Sequence, residues 1–176
     1  VIKHFPGASV ARNNRANHLI RISANTSDKE KQNELLQRAL EDCNVTLKGA
    51  LNHARAYENR QNIYLRFNRD SLALADAISL IKIEPRNRLA YYTKGAVYMR
   101  FNKIDSAMAN FNKCLEIDPN TDFALNNRGS LLFNHYKKYK EAMADFTRAI
   151  QVNPQGDYFL NRSYCHYQLG EIEMAK

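Results

Sequence analysis

A short phrase that recurs with a nearly constant period constrains the fold of this chain more than any other feature. Three similar segments, LIKIEP, CLEIDP and AIQVNP, end at Pro85, Pro119 and Pro154, which lie 34 and 35 residues apart. A small residue also stands twelve positions before each of these prolines, at Ala73, Ala107 and Ala142. Self-similarity at such a period indicates a repeat architecture in which each repeat is one small supersecondary unit.

Within each period the apolar residues follow helical spacing. In YYTKGAVYMRF, Tyr91, Gly95 and Tyr98 fall on one side of a helix, and Met108, Phe111 and Cys114 do the same in the next segment. Gly and Pro are scarce, with 6 and 4 residues, which argues against a turn-rich β-fold. The pattern therefore predicts about two helices in each period, in contact at small residues such as Gly95. The aspartates at the starts of two second helices are predicted to be their N-caps, namely Asp70 and Asp105.

The third period resembles the tetratricopeptide repeat (TPR) family, a 34-residue helix–turn–helix unit. The residues that carry the resemblance are Tyr91, Gly95, Tyr98, Ala107, Phe111, Cys114 and Pro119, at repeat positions 4, 8, 11, 20, 24, 27 and 32. The resemblance implies an all-α fold, a right-handed α-solenoid of about 4.5 units. It divides residues 1–176 into a single array with units at 9–53, 54–87, 88–121, 122–155 and a truncated 156–176.

The first unit departs from the period by an 11-residue insertion near residues 22–32. We expect a loop near 23–27 and a long second helix from about Asp28 to Lys48, because SDKE at 27–30 is a capping-box pattern. Two interpretations stay open. The insertion is either variation in turn length or a protruding element that contacts a partner or a membrane-proximal domain.

The sequence contains no arrangement of residues that indicates catalysis. There is no nucleophile elbow, zinc-protease helix motif, glycine-rich phosphate loop or calcium loop, and the five histidines fall at unrelated repeat positions. The three cysteines are too scattered for a metal or redox motif and are predicted to be buried, reduced thiols. We therefore expect no enzyme activity, no metal and no cofactor.

The net charge of +8 raises the question of a nucleic-acid or membrane partner. Bases form a column at repeat position 7, comprising Arg15, Arg60, Lys94, Arg128 and Arg162. Acids recur at position 23, in Asp42, Asp76 and Asp145. Matched columns favour salt bridges between units over a phosphate-binding stripe, and the aromatic residues occupy core positions, so no nucleic-acid partner is expected. No apolar run approaches the length of about 18 residues that a membrane span requires, so no membrane contact is expected from this segment.

In TPR proteins the first helices line a concave groove, through positions 2, 5, 6, 9, 12 and 13. The resemblance implies a peptide-binding groove here that includes Asn14, Asn59, Asn62, Arg66, Tyr92, Thr93, Arg100, Phe123, Asn127 and Asn161. Asparagine at position 6 is similar to the asparagine ladder of the O-linked N-acetylglucosamine transferase superhelix, although asparagine is also common at this position. The carboxylate clamp of chaperone-binding TPR proteins fits poorly, because no lysine stands at position 5.

The leading hypothesis is a non-catalytic interaction module that binds an extended peptide or a partner protein. Both ends of the sequence fall in mid-repeat, with residues 1–6 expected to be the tail of a second helix, which suggests a segment of a larger protein. Residues 1–19 resemble the junction before the TPR region of bacterial membrane proteins similar to O-mannosyltransferases. The alternative is therefore an accessory domain that presents polypeptide to a membrane glycosyltransferase. The chain would be cytoplasmic by default and extracytoplasmic if tethered. The apolar last helix, with Phe159, Leu160 and Tyr164, is expected to seek cover from another copy.

Overall fold

The computed structural model describes residues 6–170, which form nine α-helices and no β-strand. The helices are α1 (Pro6–Ala24), α2 (Lys29–Gly49), α3 (Ala54–Arg66), α4 (Asp70–Ile83), α5 (Arg88–Arg100), α6 (Ile104–Ile117), α7 (Asp122–Asn134), α8 (Tyr139–Val152) and α9 (Gly156–Gln168). The all-α prediction is confirmed, and the fold is a solenoid of helical repeats. A second helix for the fifth repeat would lie outside the described residues.

The chain divides into two compact units, Val1–Arg86 and Asn87–Lys176. In the N-terminal unit, α1 packs on α2 and α3, α2 packs on α3, and α3 packs on α4. Its core contains fully buried Ala39, Cys43, Ile63 and Leu80. In the C-terminal unit each helix from α5 to α8 packs on the next helix, and α7 also contacts α9.

The core of the C-terminal unit lies between its helix pairs and is built around two phenylalanines, Phe111 and Phe146, that are 0% and 1% exposed. Each ring lies where a glycine of the facing first helix leaves room for it. A Cβ atom on Gly95 would lie 2.6 Å from Cε1 of Phe111, and one on Gly129 would lie 2.8 Å from Cε1 of Phe146. The prediction that Gly95 stands at a close helix contact is confirmed.

The 11-residue insertion lengthens the first helical hairpin. The helices α1 and α2 have 19 and 21 residues, whereas α3 to α9 have 13 or 14 each. The connection between them covers only residues 25–28, close to the predicted loop. The cap of α2 is Asp28, whose carboxylate accepts hydrogen bonds from the backbone N–H groups of Glu30 and Lys31, so the first residue of the SDKE pattern, Ser27, is not the cap.

The predicted N-caps of two second helices are wrong. Asp70 is the first residue of α4 and Asp105 the second residue of α6, and the cap positions are taken by Arg69 and Lys103, with no side-chain cap hydrogen bond. The preceding turns contain Asn68 and Asn102 in the left-handed region, at φ 55° in both cases. These turns bring the chain into the helix one or two residues earlier than the sequence suggests. The aspartates then lie in the first turn, where the helix dipole favours negative charge.

The prolines do not all have the same position. Pro85, Pro119 and Pro154 each precede a first helix by two or three residues, but Pro6 is itself the first residue of α1. The other residues of the expected preceding helix, 1–5, lie outside the described residues.

Candidate peptide-binding face

The position-7 bases pair with the position-23 acids, but they do so within a repeat. Arg60 donates two hydrogen bonds to the carboxylate of Asp76, at 2.8 and 2.7 Å, and so joins α3 to α4. Equivalent bidentate pairs are Arg15 with Asp42, and Arg128 with Asp145. The prediction of salt bridges between units is wrong, because positions 7 and 23 face each other inside one helical hairpin.

The contact between repeats is made by the third guanidinium nitrogen of the position-7 arginine. Nη1 of Arg60 donates to Oδ1 of Asn44 on α2, at 2.8 Å, and Nη1 of Arg128 donates to Oδ1 of Asn112 on α6, at 2.9 Å. Burial raises the pKa of Asp76, and the hydrogen bonds from Arg60 oppose this shift. Arg60 and Arg128 are half-buried and each donates three side-chain hydrogen bonds, so they do not present a free basic stripe.

The first-helix face consists of the residues at repeat positions 2, 5, 6, 9, 12 and 13 of α1 and α3 in the N-terminal unit, and of α5, α7 and α9 in the C-terminal unit. Adjacent first helices are joined across this face by side-chain amides. Nδ2 of Asn59 donates to Oδ1 of Asn13 at 3.0 Å, and Nδ2 of Asn161 donates to Oδ1 of Asn126 at 2.9 Å. Position 6 of one repeat thus bonds position 5 of the repeat before it, in the same register in both units.

A tyrosine takes the place of the position-5 amide in the third repeat. Tyr92 shares a hydrogen bond with the Asn127 side chain and packs edge-on against Phe123, with ring centroids 4.4 Å apart. Burial raises the pKa of Tyr92, and the hydrogen bond from Asn127 opposes the shift. Both rings are half-buried and pack against the core, so each leaves only part of its surface on the first-helix face.

The structure distributes the ten predicted groove residues unequally. Tyr92, Phe123 and Asn127 form one cluster in the C-terminal unit, and Asn62 and Arg66 form another on α3. Asn14 and Arg100 are exposed, whereas Thr93 is 2% exposed and offers almost no surface. Asn59 and Asn161 bond to Asn13 and Asn126, which the sequence did not single out as site residues. The sequence contains a pattern that could have identified Asn13 and Asn126, because both are asparagines at position 5, directly before an asparagine at position 6.

Comparison with known proteins identifies one repeat directly. A family model described as tetratricopeptide repeat matches residues 89–121. Residues 89–121 therefore resemble a tetratricopeptide repeat. They contain α5 and α6, whose pairing through Gly95 and Phe111 matches the small and aromatic residues of the TPR pattern.

Solved TPR structures resemble most of the chain. MamA from Desulfovibrio magneticus RS-1 is 14% identical, with a TM-score of 0.70 over 96% of this chain and 89% of that chain. YrrB, described as a TPR protein with an unusual peptide-binding site, is 21% identical, with a TM-score of 0.65 over 95% and 80%. The first TPR of Spaghetti (RPAP3), bound to the HSP90 peptide SRMEEVD, is 19% identical, with a TM-score of 0.61 over 66% and 93%. At these identities the likeness shows the TPR fold.

No curated protein matches the sequence significantly. The comparisons give no support to an O-mannosyltransferase context. Among residues 6–170 no group of His, Cys, Asp or Glu could hold a metal ion, and no helix there is long and apolar enough to cross a membrane.

Proposed function

We propose that this chain is a non-catalytic interaction module that binds an extended peptide segment of a partner protein along its first-helix face. The observation that carries the proposal is the recurrence of the amide pairs, Asn13 with Asn59 in one unit and Asn126 with Asn161 in the other. The same arrangement recurs in each unit, so each unit has a first-helix face built to this pattern.

The amide pair of the C-terminal unit leaves hydrogen-bonding capacity for a ligand. Asn161 uses Nδ2 toward Asn126, and within the described residues neither its Oδ1 nor the Nδ2 of Asn126 has a partner. A peptide backbone offers one donor and one acceptor per residue, so a free amide oxygen beside a free amide nitrogen can bind both. Packed helices lie about 8–10 Å apart, and an extended chain rises about 3.3 Å per residue. Within either unit, adjacent first helices would therefore contact about every third residue of a bound peptide.

Apolar surface for the peptide's side chains lies beside the amides. Tyr92 and Phe123 each expose part of a ring next to Asn127, and Phe133 packs edge-on against Tyr139 with centroids 5.2 Å apart. Aromatic residues that are partly exposed and held rigidly are typical anchors of interfaces. The peptide-binding site of YrrB and the peptide complex of the Spaghetti TPR support the same use of the fold.

The experiment is a screen of a random nonapeptide library against the purified chain, followed by titration of the selected peptide with single variants. Asn126→Ala removes a free donor and should weaken binding by about 0.5–1.5 kcal/mol, which is two- to tenfold. The matched control is Asn110→Ala on the second helix α6, where the side chain bonds only to the carbonyl of Ser106. Equal effects of the two variants, or a library without any binder, would contradict the proposal.

We further propose that α9 pairs with a second copy of the chain. Leu160, Tyr164 and Tyr167 stand at helical spacing on α9 and are 52%, 51% and 63% exposed. They occupy first-helix-face positions 5, 9 and 12, so a second copy and the peptide would compete for this part of the face. An apolar stripe of this kind is a typical self-association surface. Analytical ultracentrifugation should show a dimer that Tyr164→Glu dissociates, whereas a monomer at high micromolar concentration would exclude this pairing.

A further inference from the structure

We infer that the first-helix face of the N-terminal unit selects acidic peptides. In this inference Arg66 is the residue that binds a side-chain carboxylate of the ligand. This inference rests on the proposed function and names its ligand class. Arg66 lies in the last turn of α3 and is exposed. Its position on the face is fixed by two neutral partners, one on its own helix and one on α1.

The guanidinium of Arg66 is held in place but not neutralised. Its Nε donates to Oδ1 of Asn62 at 3.1 Å, and its Nη1 donates to Oγ of Ser23 at 3.2 Å. An arginine has five N–H donors, so about three remain for a ligand. No carboxylate within residues 6–170 pairs with Arg66, in contrast to Arg15 and Arg60 on the same two helices. A fixed guanidinium that keeps its charge is suited to a carboxylate, because less side-chain freedom is lost on binding.

The partner on α1 exists because of the insertion in the first repeat. Ser23 lies in the last turn of the lengthened α1 and is fully buried. Its hydroxyl donates to the carbonyl of Ile20 at 2.7 Å, so its oxygen is oriented to accept from Arg66. The side chain of Gln32, near the start of α2, donates to the Ser23 carbonyl at 2.9 Å and fixes this turn. The insertion thus supplies a support for Arg66, and Ser23 acts as a positioning residue.

The charge of the surrounding face agrees with an acidic ligand. Arg21 on α1 and Arg55 on α3 occupy first-helix-face positions, are exposed, and have no ion-pair partner in the described part of the chain. The first-helix-face positions of α1 and α3 include one acidic residue, Glu58, which is half-buried. Arg55 and Arg66 are eleven residues apart, which is about three turns and about 16 Å along α3. One carboxylate cannot contact both, so the acidic side chain of the ligand is assigned to Arg66, and Arg21 and Arg55 add positive charge to the same face.

The test uses the full chain and a random library of nonapeptides with amidated C-termini, so that only side chains can supply carboxylates. Selected peptides should be enriched in Asp and Glu. Binders without acidic enrichment would overturn the inference and leave the proposed function standing, whereas no binder at all would contradict the proposed function itself. Enrichment that appears only in a second library with free C-termini would also overturn it.

Single variants then assign the selectivity to Arg66. Measured by fluorescence anisotropy, Arg66→Ala should weaken the binding of the selected acidic peptide by about tenfold. It should weaken the binding of the Gln/Asn analogue of that peptide by less than about twofold. The matched control is Arg38→Ala, which removes the same charge from the exposed surface of α2, where Arg38 lies 3.9 Å from Glu34. If the two variants lost equal affinity for the acidic peptide, the effect would come from net charge, and the assignment of the selectivity to Arg66 would be overturned.

A separate variant tests the positioning role of Ser23. Ser23→Ala should lower the ratio of acidic to amide-peptide affinity by about threefold, since Arg66 keeps its charge but loses its support. This ratio does not depend on the fraction of folded protein, so a general loss of stability would not move it. An unchanged ratio would remove Ser23 from the site.

Discussion

The close approach of α5 and α6 at Gly95 allows a sharp test of how the repeat is packed. In Gly95→Ala the new methyl carbon would lie 2.6 Å from Cε1 and 2.7 Å from Cδ1 of Phe111. These separations are well inside van der Waals contact, which for carbon atoms is about 3.5–4.0 Å. The ring cannot swing away into solvent, because Phe111 is fully buried. The substitution must therefore displace the ring or separate the two helices.

The expected size of the effect follows from two opposing contributions. Overpacking a well-packed core costs about 1–3 kcal/mol. Replacing glycine by alanine inside a helix stabilises the helix by about 1 kcal/mol, because alanine has the higher helix propensity. Because the clash is severe, we expect a net loss of about 1–2 kcal/mol in the free energy of unfolding, and a melting temperature lower by about 2–8 °C for a chain of this size. Urea titration followed by far-ultraviolet circular dichroism measures the first quantity, and a thermal scan the second.

Two further variants make the result interpretable. Gly156→Ala is the matched control, because a Cβ at Gly156 would meet no atom within 4 Å, and its stability should be unchanged or slightly higher. The double variant Gly95→Ala with Phe111→Leu should be more stable than the sum of its single effects, because the smaller side chain makes room for the methyl group. The packing argument is refuted if Gly95→Ala is as stable as the parent chain, or if the two substitutions are additive.

Two other predictions concern the ion pairs and the thiols. Arg60→Met should destabilise the N-terminal unit by about 2 kcal/mol, because it leaves Asp76 buried without its partner. In urea titrations Arg15→Met should cost less, because the Arg15 side chain is 63% exposed and that of Arg60 only 20%; the reverse order would contradict this. Burial raises the pKa of Cys43 to about 12, and those of Cys114 and Cys165 to about 11, from an ordinary 9.0. The native thiols should therefore resist a disulfide reagent at pH 8 and react only in urea. Their contribution to stability should be complete below pH 9 and should fall as the pH rises toward 11, because the unfolded thiols ionise first; an unchanged urea midpoint between pH 8 and pH 10.5 would contradict it.

The sequence predicts the helix pairs well because their determinants recur at a fixed spacing. Gly95 and Phe111 are a small and a large residue at matching positions of facing helices, and the same combination returns in Gly129 and Phe146. The burial of the three free cysteines was also predicted correctly, because a thiol at a packing position behaves as a small apolar side chain. These features depend on local spacing and on the contact within one hairpin.

The sequence was less informative where the outcome depends on the contacts between hairpins or on turn geometry. The bond between Ser23 and Arg66 joins residues 43 positions apart, and it requires the register of α1 against α3. The same applies to the pair of Asn59 with Asn13. The wrong cap assignment at Asp70 reflects a left-handed residue in the turn, which a preference for aspartate at N-caps does not reveal. The direction of the position-7 salt bridges was wrong because the period alone does not distinguish contacts within a repeat from those between repeats.

The central claim, that an extended peptide lies on the first-helix face, is tested most directly by nuclear magnetic resonance of the asparagine side-chain amides during titration with a library-selected peptide. The account predicts the largest shifts in the Nδ2H₂ signals of the face asparagines, which include Asn59, Asn126 and Asn161, with small shifts for Asn110 and Asn112 on α6. Shifts concentrated on the second helices, with the amides of Asn126 and Asn161 unchanged at saturation, would contradict it.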